Sequence, residues 1–190
     1  MPMSRSGLRS GGSAARCERR LAGDAPLILT ADLPQDVQSC ATGLRDRYFP
    51  PERNQLKAHV TLFHALPPSC EGEIRDALGA IAAAHAPVPG RLEGLMSLGR
   101  GNALKLTSPA MVDIWEDLAD RFHGLLTPQD GHKPRLHVTI QNKVTAREAK
   151  ELNAMLAPQI VPRNFRFRGL SMHAYRGGPW DHLKSWSFRG

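Results

Sequence analysis

Two tetrapeptides in this 190-residue chain carry the residue types needed for proton transfer, His59-Val60-Thr61-Leu62 and His137-Val138-Thr139-Ile140. Each reads histidine, valine, threonine, aliphatic, within a short apolar run of strand character. Strand side chains alternate between faces, so His59 and Thr61 share one face, as do His137 and Thr139. The aliphatic residues between them turn to the other face, where a layer of helices can cover them. Histidine gives and takes protons near neutral pH. A pair can divide the work, one imidazole accepting a proton from the attacking group while the other protonates the leaving oxygen. Threonine hydroxyls beside them can donate hydrogen bonds to the nonbridging oxygens of a phosphodiester and stabilise charge as it builds. That chemistry needs no metal and no protein nucleophile.

The remaining candidates follow from the same alternation. Phe63 continues the His59 face and could stack on a base, whereas His64 points away from it. Gln141 and Lys143 continue the His137 face and could reach a phosphate. Tyr175 and Trp180, the latter in a Gly-Gly-Pro-Trp turn, could wall a cleft. The other histidines (85, 123, 132, 173, 182) show no metal-ligand spacing, so no metal or other cofactor is expected.

The elements that must position these residues can be read along the chain. Residues 1–25, rich in Ser, Gly and Arg, read as a disordered basic tail, and residues 26–190 as one domain. A buried strand at 26–31 is followed by a helix to about Tyr48, with Pro34 in its first turn. The first motif strand covers roughly 57–65. Ser69 is the expected N-cap of a helix over 70–85. Strands at 90–98 and 102–107 form a hairpin-like pair, and Ser108-Pro109 opens the next helix. The second motif strand, 135–143, precedes a helix that begins on a Thr145–Glu148 capping box and runs to about Leu156. Two strands, near 164–175 and 182–188, finish the chain. Helix, motif strand, helix, hairpin thus occurs twice. The pattern predicts an α+β fold, bilobal, with two pseudo-symmetric and mainly antiparallel sheets, helices on their outer faces and a central cleft.

The formal net charge of +7 is concentrated at the N-terminus. Five arginines against Glu18 give residues 1–20 a balance of +4 (5 − 1), leaving about +3 (7 − 4) for the rest. A broad basic face for nucleic acid does not follow from that remainder. No apolar run is long enough to span a bilayer, so no membrane partner is expected. Three scattered cysteines, Cys17, Cys40 and Cys70, suit a reducing, cytoplasmic setting. A monomer is expected.

The paired motifs, together with the order of strands and helices over about 26–188, resemble those of the two-histidine (2H) phosphoesterase superfamily. That superfamily includes the bacterial RNA 2′,3′-cyclic phosphodiesterases, also named 2′-5′ RNA ligases. The resemblance implies His59 and His137 as the acid/base pair and Thr61 and Thr139 as phosphate donors. It implies RNA ends or a small nucleotide phosphodiester as substrate, with hydrolysis of a 2′,3′-cyclic phosphate as the reaction and 2′-5′ ligation as its reverse. Phe63-His64-Ala65-Leu66-Pro67 after the first motif, and Gln141 after the second, depart from the pattern common in the RNA-processing branch. A nucleotide cyclic-phosphate or ADP-ribose hydrolase, or a nonenzymatic RNA-end or nucleotide binder that retains the cleft, are the alternative readings.

Overall fold

A computed structural model describes residues 23–190 of the chain. The expected basic tail falls outside the described residues as far as residue 22. Residues 23–25 form a turn, and Ala25 is already buried against the core.

The apolar run Leu27–Asp32 forms β1, buried along nearly its whole length. Pro34 is the residue before helix α1, Gln35–Tyr48, where its extended backbone turns the chain into the first turn. Strand β2 is Val60–Leu66 and helix α2 is Glu71–Ala84. The expected Ser69 cap is not used. Pro67 and Pro68 force a short 3₁₀ turn over Pro68–Cys70 instead, and α2 starts directly from it without a side-chain cap. Strands β3, Val88–Ser97, and β4, Gly101–Thr107, form the predicted hairpin. Helix α3, Pro109–Arg121, starts at Ser108, whose hydroxyl accepts from the Met111 amide. Strand β5, His137–Asn142, carries the second motif, and α4, Ala146–Leu156, opens on the Thr145–Glu148 capping box.

The final strand region differs from the expectation of one strand at 164–175. It is two strands, β6, Arg163–Phe167, and β7, Gly169–Ala174, and they belong to different sheets. The chain crosses between sheets at Arg168, whose amide donates to the Asp32 carbonyl. Gly169 is required just after the crossing, because a Cβ there would run into the Trp186 carbonyl of β8, Asp181–Ser187. Gly169 alone marks the switch, and a single glycine within a β-rich run reads as part of a continuous strand.

Two four-stranded antiparallel sheets result, in the orders β2-β1-β7-β8 and β5-β4-β3-β6. Both motif strands are edge strands, β2 beside β1 and β5 beside β4. The repeats do not stay in separate lobes. The β3–β4 hairpin joins the sheet of the second motif, and β7–β8 returns to the sheet of the first. Helix α1 packs mainly against β5 of the opposite sheet, while Trp115 of α3 stacks on Phe63 of β2 at 5.7 Å between ring centroids. Helix α2 covers β7 and β8, and α4 covers β3 and β4. One continuous apolar core links both sheets and all four helices. Among the described residues no helix is long and apolar enough to cross a membrane.

Candidate active site

Each motif strand contains a bulge one residue past its threonine, which decides which of the next side chains reach the cleft, and β2 has a second irregularity between Phe63 and Leu66. Thr30 of β1 pairs with Thr61, but the next residue back, Leu29, pairs with Phe63, so Leu62 is the extra residue. In the second sheet Ala103 pairs with Thr139 and Asn102 with Gln141, so Ile140 is extra. An extra residue reverses every side chain beyond it.

Phe63 therefore turns away from His59, fully buried in the core against Trp115, and does not line the cleft as strict alternation predicts. His64 comes round to the cleft side instead, half-exposed. Gln141 is likewise turned beneath its sheet. Its carbonyl accepts from Asn102 Nδ2 at 2.9 Å in a buried amide cluster that also ties Asn102 to the Ala149 carbonyl and to Asn153 of α4. Lys143 lies past the end of β5, exposed and in the left-handed conformation. Tyr175 is exposed after β7 and contributes no wall to the cavity described below. Trp180 does reach the site, its ring 4.4 Å from that of His59.

The two motif histidines are held in the same way. His59 Nδ1 lies 2.8 Å from the Lys57 carbonyl and His137 Nδ1 lies 2.6 Å from the Arg135 carbonyl. A carbonyl only accepts, so each Nδ1 carries the proton and donates it. In the neutral ring, each Nε2 is then left with its lone pair available for chemistry. β2 and β5 meet where the two sheets adjoin, and the charge of His137 is felt at His59. Thr61 and Thr139 are half-buried, and among the described residues no side chain engages either hydroxyl. Burial pushes the His59 pKa down to about 4, against the hydrogen bond to Lys57, with the charges of Arg45, His137 and His64 adding to the fall.

Arg45 is a buried residue joining the two motif segments that motif reading missed. It is 5% exposed on α1. Nε donates to Asn54 Oδ1 (2.8 Å) and the Leu56 carbonyl (2.9 Å), while Nη1 donates to the Thr139 carbonyl (2.9 Å). The guanidinium lies over the Phe49 ring at 3.9 Å. One side chain thus fixes the loop leading to His59 and the backbone of the other motif. The signal was present, since Val37, Ala41 and Arg45 recur at four-residue spacing along one buried stripe of α1.

Asp130 was also missed. From the Thr127–Gly131 turn its carboxylate accepts from the amides of His64 and Ala65 and from His64 Nδ1, all at 2.9–3.0 Å. It caps the open edge of β2 just beyond the bulge. Burial raises the Asp130 pKa, but the bonds from the His64 ring and the two amides outweigh it and hold the carboxyl below its usual value.

Beside His59, on the side away from the second motif, the sheet face of β1, β7 and β8 forms a chamber of about 310 Å³. Thr30, Asp32, Gln38, Ser171, His173, Trp180 and His182 line it, together with His59. Its floor is a directed chain of hydrogen bonds. Ser171 donates to Asp32 Oδ1 at 2.7 Å, so the proton between Ser171 and Ser185 (2.7 Å) comes from Ser185. Ser185 then accepts from His182 Nε2 at 2.8 Å. His173 Nε2 bonds to Thr30 Oγ1 at 3.1 Å, and burial, with the charges of His182 and His59, lowers its pKa to about 4. Burial raises the Asp32 pKa against the Ser171 bond and the His182 charge.

Residues 33–179 match a family model described as the 2′-5′ RNA ligase superfamily. Among solved structures the chain is similar to TT0787 of Thermus thermophilus, at 19% identity and a TM-score of 0.60 over 87% of this chain and 98% of that one. A structure described as a phosphoesterase aligns at 21% identity and a TM-score of 0.54, over 88% and 99% of the two chains. E. coli LigT complexed with 3′-AMP aligns at 17% identity and a TM-score of 0.57, again over 88% and 99%. At these identities the likeness is one of fold. No curated protein matches the chain.

Proposed function

This chain belongs to the 2′-5′ RNA ligase superfamily, the two-histidine phosphoesterases, and on that footing we propose that it is a phosphodiesterase that opens 2′,3′-cyclic phosphates at RNA ends or on small nucleotides. The observation that carries the proposal is the repeated anchoring of the two imidazoles. Each Nδ1–H is fixed by a carbonyl two residues back, and each Nε2 is left for proton transfer. A nucleotide ligand in the structurally similar LigT supports a substrate of nucleotide size.

His59 is the base. Burial and the Arg45 charge disfavour its protonated form, so its Nε2 lone pair is available to take a proton from water. His137, protonated at Nε2, is the acid. As the water oxygen bonds to phosphorus, the bond to one ribose oxygen breaks, and that oxygen receives the His137 proton. Thr61 and Thr139 donate to the nonbridging oxygens, where negative charge increases in the transition state. With a ribose hydroxyl attacking in place of water, the same groups join a cyclic end to a second nucleotide: His59 takes the hydroxyl proton, its oxygen bonds to phosphorus, and the ring oxygen that leaves phosphorus receives the His137 proton. Water at its bulk concentration favours hydrolysis.

Four nucleoside 2′,3′-cyclic phosphates and a short RNA with a cyclic end, incubated with the protein and excess EDTA, test this directly. Ring opening to a nucleoside monophosphate is expected, monitored by phosphorus NMR. Activity abolished by the chelator and restored by a divalent ion would overturn the mechanism. Tight binding without ring opening would make the protein a nucleotide binder.

A further inference from the structure

Apart from His59, the residues lining the chamber have no part in the proton transfers, and their polar atoms are unevenly committed. On the wall built by β1, α1 and β7 the Ser171 and Gln38 donors are already used. Ser171 donates to Asp32, the Thr30 hydroxyl is bonded to His173, and Gln38 Nε2 donates to the Ala58 carbonyl (2.6 Å) and to Thr42. Two acceptors are left unengaged there, Asp32 Oδ2 and Gln38 Oε1, neither of which meets a donor among the described residues, and the Thr30–His173 pair keeps one donor beyond the bond it shares. Among those residues, too, no cationic side chain is paired with Asp32. The opposing wall is aromatic, with the rings of His59, Trp180 and His173 in succession at 4.4 and 5.6 Å. At about 310 Å³ the chamber holds a small planar ring system.

We propose that this chamber is a nucleobase subsite that selects the donor edge of guanine through the free Oδ2 of Asp32, with the Trp180 indole as its stacking wall. The proposal deepens the reading of the cleft as a phosphodiester site and rests on it. Guanine offers two adjacent N–H donors, at N1 and N2, to one carboxylate. Adenine and cytosine offer one amine beside a ring nitrogen that needs a donor, and uracil places its single N–H between two carbonyls. The free Asp32 oxygen satisfies the guanine donors and leaves the others with an unmet acceptor facing the carboxylate, the arrangement that gives strong discrimination. Stacking on Trp180 is shared by all four bases and supplies affinity without choice. The location also fits. A base held here lies beside His59 with its ribose and phosphate directed into the cleft.

Binding of the 3′-monophosphates of guanosine, inosine, adenosine, cytidine and uridine to the full-length protein, measured by calorimetry, tests the proposal without relying on turnover. Guanosine 3′-monophosphate should bind at least about tenfold tighter than the adenosine, cytidine and uridine forms, the scale of one hydrogen bond to a charged group. Inosine 3′-monophosphate lacks the N2 amine and should fall several-fold below guanosine. In Asp32→Asn the ratio of guanosine to uridine affinity should drop toward one. Equal binding of all bases by the wild type, or inosine binding as tightly as guanosine, would overturn the subsite, and neither result depends on a variant that folds. A preference unchanged in Asp32→Asn would remove Asp32 as its source. The two readings fail separately. Equal binding with rapid ring opening ends the subsite and leaves the phosphodiesterase, whereas guanine-selective binding without ring opening does the reverse.

Discussion

An imidazole can act as a base only while it is unprotonated, and at His59 burial, Arg45 and the neighbouring histidines all oppose protonation. The acid limb of kcat/KM should therefore lie near pH 4, well below the ordinary histidine range. Because two histidines titrate in one cleft, the limbs belong to the pair. Arg45 separates the charge effect from the positional one. Arg45→Met removes a positive charge, so the acid limb should move to higher pH; Arg45→Lys keeps the charge and should leave the limb closer to its wild-type place. Both lose the forked contact to Leu56 and Thr139, and both should lower kcat, by up to about 10² if the motifs shift by an ångström. A pH profile of kcat/KM for the three proteins checks this. An acid limb at 6.5 in the wild type, or the same limb in all three, would contradict it. The sign for stability is fixed by the same groups. With folded pKa values of about 4 for His59 and His173, the unfolded chain binds more protons below pH 6.5, so stability should fall between pH 6.5 and 4.

Strands and their edges explain why some of the site was legible and some was not. His59, Thr61, His137 and Thr139 were readable because they lie before the bulges, where alternation holds. Phe63 and Gln141 lie after them, and nothing in Leu62 or Ile140 marks an extra residue. The caps at Ser108 and Thr145 were legible because their chemistry is local. Asp130 was not, since Thr127–Gly131 reads as an ordinary polar turn and its partners lie 65 and 66 residues away. Its loss should be costly. Asp130→Ala strands the amides of His64 and Ala65, at about 1–3 kcal/mol for each buried donor left unsatisfied. Urea unfolding at pH 7 should show a lowered midpoint. The stabilisation comes from a depressed carboxyl pKa, so it is present above the unfolded value and is lost as pH falls through the folded one. Wild type and variant should accordingly converge in stability in strong acid. An unchanged midpoint at pH 7 would mean that water replaces the carboxylate without cost.

At the scale of the whole molecule the two repeats were legible but their exchange was not. Each repeat lends a hairpin to one sheet, α1 leans on the opposite motif strand, and Phe63 meets Trp115 across the join. Such long-range pairings leave no local trace in the sequence. Their consequence is that the two motif strands, one in each sheet and each with one histidine, are held in a single core. The central claim is that the two act as one acid/base unit, and it is tested by single-turnover ring opening of one nucleoside 2′,3′-cyclic phosphate by wild type, His59→Ala, His137→Ala and the double variant. Each single change should slow the reaction by about 10²–10⁴. The double change should cost far less than the product of the two. A folded single variant that keeps the wild-type rate, or losses that multiply in full, would contradict the account.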